Sequence, residues 1–537
     1  MIHLIPLVLA LAPAPAKDPL EEAKALLGKE MTVERIGSSV LLATEPDDPT
    51  AEGFKQSFAD MVKTIADRAF TPSLDRPLLV CRAGAARFQA CSARLLGSAS
   101  NPPLALDPVR NRIVLLAVAG DPALDVVVPG FLLAKHLGSA SYPPYLMTGL
   151  ALLIEKRVGE EDVLFDARAA ILKNPLLGGR RPALRDFLRL GLAEFNDERR
   201  LPVHAALARG WFGYLEDRGA LRKFFESYRA TMKRDPSGVA AAEAALGKPW
   251  ADVDKGFQDY VRALPWIDRK RFEETGREIL GEGMRVRIDD DWALALSGVA
   301  TDALLEECVK RAKELAPALV RTFDMTPSGL PFVARLFGTT EAFEAYAWKA
   351  ANKEWYGGFY MQKGRMVVGD VSRGSDVFLH ELCHGLFIDD FNDLFPTWLG
   401  EGLAELFEQF AVDGDKVRGL PGATPGEIRK AFKEGKAPRL RDFIQMRGVE
   451  FHDRTRGREA VNQDRLHLHY TLARAVVLYL QEKGLLVRFY TNLRKTRVAT
   501  ARQDPFCLKA LEQETGLGIE EIEKDFLRWL ETQPAAK

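Results

Sequence analysis

The sequence predicts an α+β chain made of two copies of one unit, each a small mixed β-sheet followed by a helical part. Three observations predict it. An internal repeat runs through most of the 537 residues. Short apolar runs of strand length precede long amphipathic runs in the second copy. Only the second copy then carries histidines and carboxylates at metal-ligand spacing on two adjacent helices.

The repeat is clearest where HAALARGWFGYLEDRGALRKFF, from His204, matches HYTLARAVVLYLQEKGLLVRFY, from His469, at an offset of 265. Pro182–Phe187 matches Pro438–Phe443, and Asp259-Tyr-Val-Arg262 matches Asp525-Phe-Leu-Arg528. Arg87-Phe-Gln-Ala90 parallels Ala342-Phe-Glu-Ala345, and Met31-x-Val33 parallels Met284-x-Val286. A unit of about 250 residues is far longer than a solenoid repeat, so this is a domain duplication. The expected division is a leader over 1–16, a first domain over 17–265, a linker over 266–285 centred on the charged stretch from Asp268, and a second domain over 286–537.

In the second copy, Trp292–Leu296 reads as a strand, Ala303–Phe323 as an amphipathic helix, Leu330–Arg335 as a strand and Glu341–Lys353 as a helix. Gly357–Tyr360 and Arg365–Gly369 form a hairpin that leads into HELCH, residues 380–384. Pro396 opens the next helix, because a first-turn proline gives up only an orphan N–H. Residues from Asp413 to Gly435, rich in Gly, Pro and Lys, read as loops around a short helix. The second copy also carries about nine extra residues within FHDRTRGREAVNQDRL, either a lid over a cleft or a surface loop.

Net charge is −1 and sequence pI about 6.8. No global field therefore recruits nucleic acid or an acidic membrane surface. The interior holds no apolar run of membrane-spanning length. The first residues, MIHLIPLVLALAPAPAK, combine an apolar core with Ala14-x-Ala16, which reads as an export signal cleaved after Ala16 although no Lys or Arg precedes the core. Five cysteines are too few for a disulfide scaffold; Cys81 and Cys91 can pair only if their Cα atoms come within about 7 Å. Cys383 reads as a small buried hydrophobe.

His380 and His384, one helical turn apart, present two imidazoles on one face, with Glu381 at its flank. A catalytic zinc needs three protein ligands, an open position for water and a carboxylate that takes the water's proton. Glu401 supplies the third ligand, and Glu401, Glu405 and Glu408 form a carboxylate stripe at i, i+4 and i+7. Such a donor set also accepts other divalent ions.

The segment HELCHGLFIDDFNDLFPTWLGEGLAELFE resembles the gluzincin zinc metallopeptidases, the thermolysin-like and aminopeptidase-like group also called peptidase MA-like. The resemblance implies two tandem thermolysin-like domains. It implies that Glu401, in E-G-L-A, is the third zinc ligand and that Glu405 orients a ligand histidine. It implies peptide or protein substrates, hydrolysed with Glu381 as general base. It also implies an oxyanion donor on a later helix, where His467-Leu-His469-Tyr470 stands; Tyr470 is the first choice and His467 the substitute. Gly357–Met361 is the expected edge that holds an extended substrate by strand addition, or else an ordinary buried hairpin. No G-x-M-E-N stretch for gripping a free amino terminus is present, which favours endopeptidase activity.

The repeat tests these assignments within one chain. Leu132 and Leu133 fall opposite His380 and Glu381, His136 opposite His384, Thr148 opposite Glu401 and Leu152 opposite Glu405. The first copy has therefore lost the set, and a lone His136 makes no tetrahedral site. His204 and His469 persist in both copies and read as structural, whereas Tyr470 faces Ala205. The expectation is an exported zinc metallopeptidase with one Zn2+ per chain and a degenerate first domain. The alternative is an exported binding or scaffold protein that keeps the fold without the chemistry.

Overall fold

A computed structural model describes residues 18–36, 40–71, 77–83, 85–96, 104–107, 112–116, 122–137, 142–154, 165–174, 176, 181–197, 199–326, 331–351, 357–361, 365–391, 395–453 and 462–533. The expected export signal lies outside the described residues, as does most of the insert ahead of Tyr470. The fold is α+β, in two compact units: Met1–Val163 with Gly179–Leu264, and Leu164–Gly178 with Pro265–Lys537. Among the described residues no helix is long and apolar enough to cross a membrane.

The first unit contains β1 (Thr32–Ile36), β2 (Val40–Thr44), β3 (Leu78–Ala83), β4 (Leu104–Asp107) and β5 (Arg112–Leu116), in the spatial order β1-β2-β3-β5-β4. The second contains β6 (Arg285–Asp289), β7 (Leu294–Gly298), β8 (Phe332–Phe337), β9 (Gly358–Met361) and β10 (Met366–Asp370), in the order β6-β7-β8-β10-β9. In both sheets the outer pairs are antiparallel and the two inner pairings parallel. The same topology occurs twice, in the order in which the sequence repeats. The central strands β3, β7 and β8 are buried along their whole length, as strands covered on both faces must be, which is why they read as continuous apolar runs.

Arg82 on β3 and Arg335 on β8 break those runs, and both are paired. Arg335 donates to Ser297 Oγ, Thr275 Oγ1 and the Phe272 carbonyl, and stacks 4.3 Å over the Phe272 ring. Arg82 pairs with Asp48 and donates to Thr50 Oγ1. Buried guanidiniums survive only when their donors are spent in this way.

Two expectations need correction. The charged stretch from Asp268, read as a linker, is the helix Arg269–Leu280, capped by the Asp268 carboxylate; its buried Phe272 and Gly276 meet Arg335. Its charges occupy the outer face of an amphipathic helix, a pattern that composition alone does not separate from a solvated connector. Beyond Glu408, part of the expected loop is a hairpin, Phe410–Asp413 with Lys416–Gly419, ahead of the helix Thr424–Lys433. The turn Asp413-Gly414-Asp415-Lys416 closes it, with Gly414 at φ 60°.

Candidate metal centre

β10 runs directly into the helix Asp376–Phe391, which carries the H-E-x-x-H motif. Its first turn is fastened by Arg311, which donates to Ser375 Oγ (2.7 Å) and Asp376 Oδ1 (2.6 Å). The next helix, Thr397–Phe407, starts after Pro396 in extended conformation (φ −70°, ψ 140°). Gly402 lets this helix press against the helix Gln463–Glu482: a Cβ there would stand 2.6 Å from the Ala473 carbonyl oxygen. Gly149 makes the matching approach to the Ala208 carbonyl in the first unit, so this glycine is kept in both copies for packing.

These helices bring His380, His384 and Glu401 together. His380 Nε2 and His384 Nε2 are 3.0 Å apart, and Glu401 Oε2 lies 3.3 Å from each. Ligands held at about 2.0–2.1 Å around a tetrahedral ion stand roughly 3.3 Å from one another. The triangle therefore has the size of three corners of a zinc tetrahedron, and its donor set is one that zinc accepts. Glu401 Oε2 is buried with the two imidazole nitrogens as its partners, an arrangement in which one cation can be met by all three donors. Burial raises the cost of ionising Glu401, yet the two imidazoles hold its pKa well below the ordinary carboxylate range.

The outer nitrogen of His380 donates its hydrogen bond to Glu408, not to Glu405. Glu408 Oε1 is 2.8 Å from His380 Nδ1, while Glu405 Oε1 is 3.9 Å away, beyond hydrogen-bond reach. Helix phase explains the difference: from Glu401 a step of seven residues returns to within about 20° of the same direction, whereas four residues overshoot by about 40°. Glu405 sits behind this pair as a buried carboxyl, pushed up to about 7 by burial and by Glu408 beside it. His380 is raised well above its ordinary value: burial opposes its charge, and the bonds to Glu401 and Glu408 outweigh that.

Glu381 is buried beside the edge of the sheet, and burial raises its pKa. A Cβ on Gly358 of β9 would meet Val377 Cγ1 at 2.7 Å and Glu381 Oε1 at 2.9 Å, so the carboxylate occupies space that only glycine leaves. Tyr360, two residues on, packs over Gly385 on the same helix. β9 pairs only with β10 and forms the edge of the second sheet among the described residues.

Tyr470 lines the same cleft, which measures about 590 Å³. Its ring centre is 6.3 Å from that of His380, and its hydroxyl is 3.3 Å from Nδ1 of His452. The other nitrogen of His452 lies 3.8 Å from Glu401 Oε1. The sequence reading missed His452, although the repeat carried a signal for it. The short helices Leu192–Phe195 and Gly448–Phe451 are equivalent, and Asn196 stands where His452 does. His467, the substitute oxyanion donor, is 75% exposed at the rim, 3.5 Å from Glu427. His469 is buried with Nδ1 2.6 Å from the Phe451 carbonyl, as His204 is 2.8 Å from that of Phe195. Cys383 is buried with its thiol pKa pushed up by burial, and Cys81 and Cys91 are buried thiols not joined by a disulfide.

In the first unit the equivalent helices are Pro122–Leu137 and Pro144–Ile154. Leu132 and Leu133 are fully buried, and His136 stacks on Phe70 with ring centres 4.3 Å apart. Apolar packing fills the place that the second unit gives to ligands. Comparison with known protein families and with curated proteins finds no match to this chain.

Proposed function

We propose that the second unit is a zinc-dependent metallopeptidase of the gluzincin type, thermolysin-like in fold, and that the first is a duplicate which no longer holds metal. The observation that carries this reading is the triangle of His380, His384 and Glu401, with a buried carboxylate oxygen facing both imidazoles, opening onto a cleft beside a sheet edge. His380, His384 and Glu401 hold the ion, and Glu408 fixes the His380 tautomer so that Nε2 faces inward. Zinc supplies Lewis acidity and a water acidified to a pKa near 7.

Glu381 accepts the proton of the attacking water and passes it to the leaving amine, a task helped by a pKa raised towards neutrality. Tyr470 and His452 reach the cleft together and donate to the oxygen that gains charge as the carbonyl becomes tetrahedral. β9 offers its unpaired backbone to an extended peptide. The absence of an amino-terminus grip favours internal bonds, and the apolar stretch ending in Ala14-x-Ala16 supports export.

The test is elemental analysis of the purified full chain and of Glu401→Ala, with hydrolysis of a quenched peptide library. About one zinc per chain, sharply reduced in the variant, together with peptide cleavage lost in Glu381→Gln, is the expected result. A wild-type chain that stays metal-free after zinc is supplied overturns the reading and leaves an exported scaffold.

A further inference from the structure

The cleft is asymmetric in charge. Glu401, Glu381, Glu405 and Glu408 line it, and each has a task or a position at the metal centre: Glu401 faces both Nε2 atoms, Glu408 bonds His380 Nδ1, Glu405 lies behind that pair, and Glu381 is buried against Gly358. None of these is placed at the mouth to receive a cationic substrate side chain. Among the described residues Arg373 is the single Lys or Arg that lines the cleft. It is exposed, and among the described residues it makes no hydrogen bond or ion pair. Asp370 feels its charge, but the Asp370 carboxylate is taken up by Thr340 Oγ1 (2.6 Å) and the Ser372 N–H (2.8 Å).

Arg373 belongs to the turn between β10 and the H-E-x-x-H helix, next to Gly374 at φ 123°. That turn leads to Val377, which touches Gly357, Gly358 and Gly369 and so marks one end of the edge strand. Tyr360 on that strand and Ile388 on the motif helix line the cleft as well.

We propose that Arg373 is the receptor for a substrate carboxylate, and that the cleft selects peptides carrying an acidic group at one fixed position relative to the bond at the metal. The inference rests on the peptidase reading and adds its substrate class. A Glu or Asp side chain and a peptide's own terminal carboxylate offer the same chemistry, and the test separates them.

The full-length, zinc-loaded Glu381→Gln chain binds without turnover and is titrated by fluorescence anisotropy. One peptide set is C-terminally amidated, with a single Glu moved through each position and Gln as its isosteric control; a second set has the free terminus. The expected result is binding about tenfold tighter for Glu than for Gln at one position, lost with Arg373→Gln, and turned into a preference for Lys with Arg373→Glu. A gain seen only with the free terminus identifies the terminal carboxylate as the source. Equal affinities throughout, a preference that persists in Arg373→Glu, or no binding of any peptide overturns the inference. Hydrolysis of the same peptides by the wild type is scored separately: cleavage without charge preference removes this inference alone, and charge-dependent binding without cleavage removes the peptidase reading alone.

Discussion

Glu408 Oε1 stands 2.8 Å from His380 Nδ1, while Glu401 Oε2 stands 3.3 Å from Nε2 of the same ring, so one helix holds one imidazole from both sides. Carboxylates behind ligand histidines fix the tautomer and raise basicity, and their loss typically costs 10–100-fold in metal affinity. Glu408→Gln is therefore expected to weaken zinc binding by about that factor in a chelator competition titration. Glu405→Gln, whose carboxylate is 3.9 Å from the ring, is expected to change it far less. The reverse ranking would refute the assignment.

Arg311 links the two helices that supply the ligands. It donates to Asp376 Oδ1 at the start of one and to the Glu408 carbonyl at the end of the other. Charge-assisted hydrogen bonds of this kind contribute about 1.5–3 kcal/mol. Arg311→Met is expected to lower stability by about that amount in denaturant unfolding and to weaken zinc binding as well, because Glu408 loses its anchor. Arg311→Lys reaches only one of these partners and falls between. Zinc affinity unchanged in Arg311→Met would show that Glu408 holds its place unaided.

Helix spacing made His380 and His384 legible, because a face is a property of one helix and its sequence; Glu401 stands on the next helix, where its E-G-L-A context singled it out. Once Glu401 is placed, helix phase favours Glu408 over Glu405, but which of them meets His380 also depends on how the two helices are set against each other. His452 comes from a four-residue helix far along the chain, with no motif of its own. The comparison that singles out Tyr470 against Ala205 also singles out His452 against Asn196, so this residue was legible through the repeat. The edge position of β9 was expected from its hairpin with β10, whereas the order of the remaining strands in each sheet was not.

Gly358 is the point where the edge strand meets Glu381, the proposed general base. An alanine there places its Cβ 2.7 Å from Val377 Cγ1 and 2.9 Å from Glu381 Oε1, closer than carbon atoms approach without displacement. Val377 is β-branched on a helix and has little rotamer freedom with which to yield. Gly358→Ala is expected to retain zinc but lose at least about tenfold in kcat/KM, since small misplacements of a reacting group are costly. Undiminished cleavage would show that Glu381 does not act from this position.

Asp390 and Arg494 form a pair whose side chains are 1% and 5% exposed, 3.0 Å apart, with Tyr490 Oη donating to the same carboxylate at 2.9 Å. Removing one partner of a buried pair leaves an uncompensated charge and typically costs about 3–5 kcal/mol. Arg494→Met is expected to destabilise the second unit by that order. The double variant Asp390→Asn/Arg494→Met should lose clearly less than the sum of the single changes, and strict additivity in unfolding titrations would contradict direct pairing.

His136, the one metal-site position still occupied by histidine in the first unit, predicts a pH effect of definite sign. Burial, reinforced by Arg229, lowers its pKa from 6.5 to about 4. As pH falls below about 6.5 the unfolded chain takes up a proton that the folded unit refuses until about pH 4, so its contribution to stability is complete above the unfolded value and is lost on acidification through that window. His136→Phe keeps a ring against Phe70 and removes the titration. The difference in Tm between wild type and His136→Phe, measured from pH 7.5 to pH 4.5, should shift in favour of the variant as pH falls. A difference that stays constant would mean that His136 takes up its proton as readily in the folded unit as in the unfolded chain, and that the first copy holds its surviving histidine in a polar environment rather than in an apolar core.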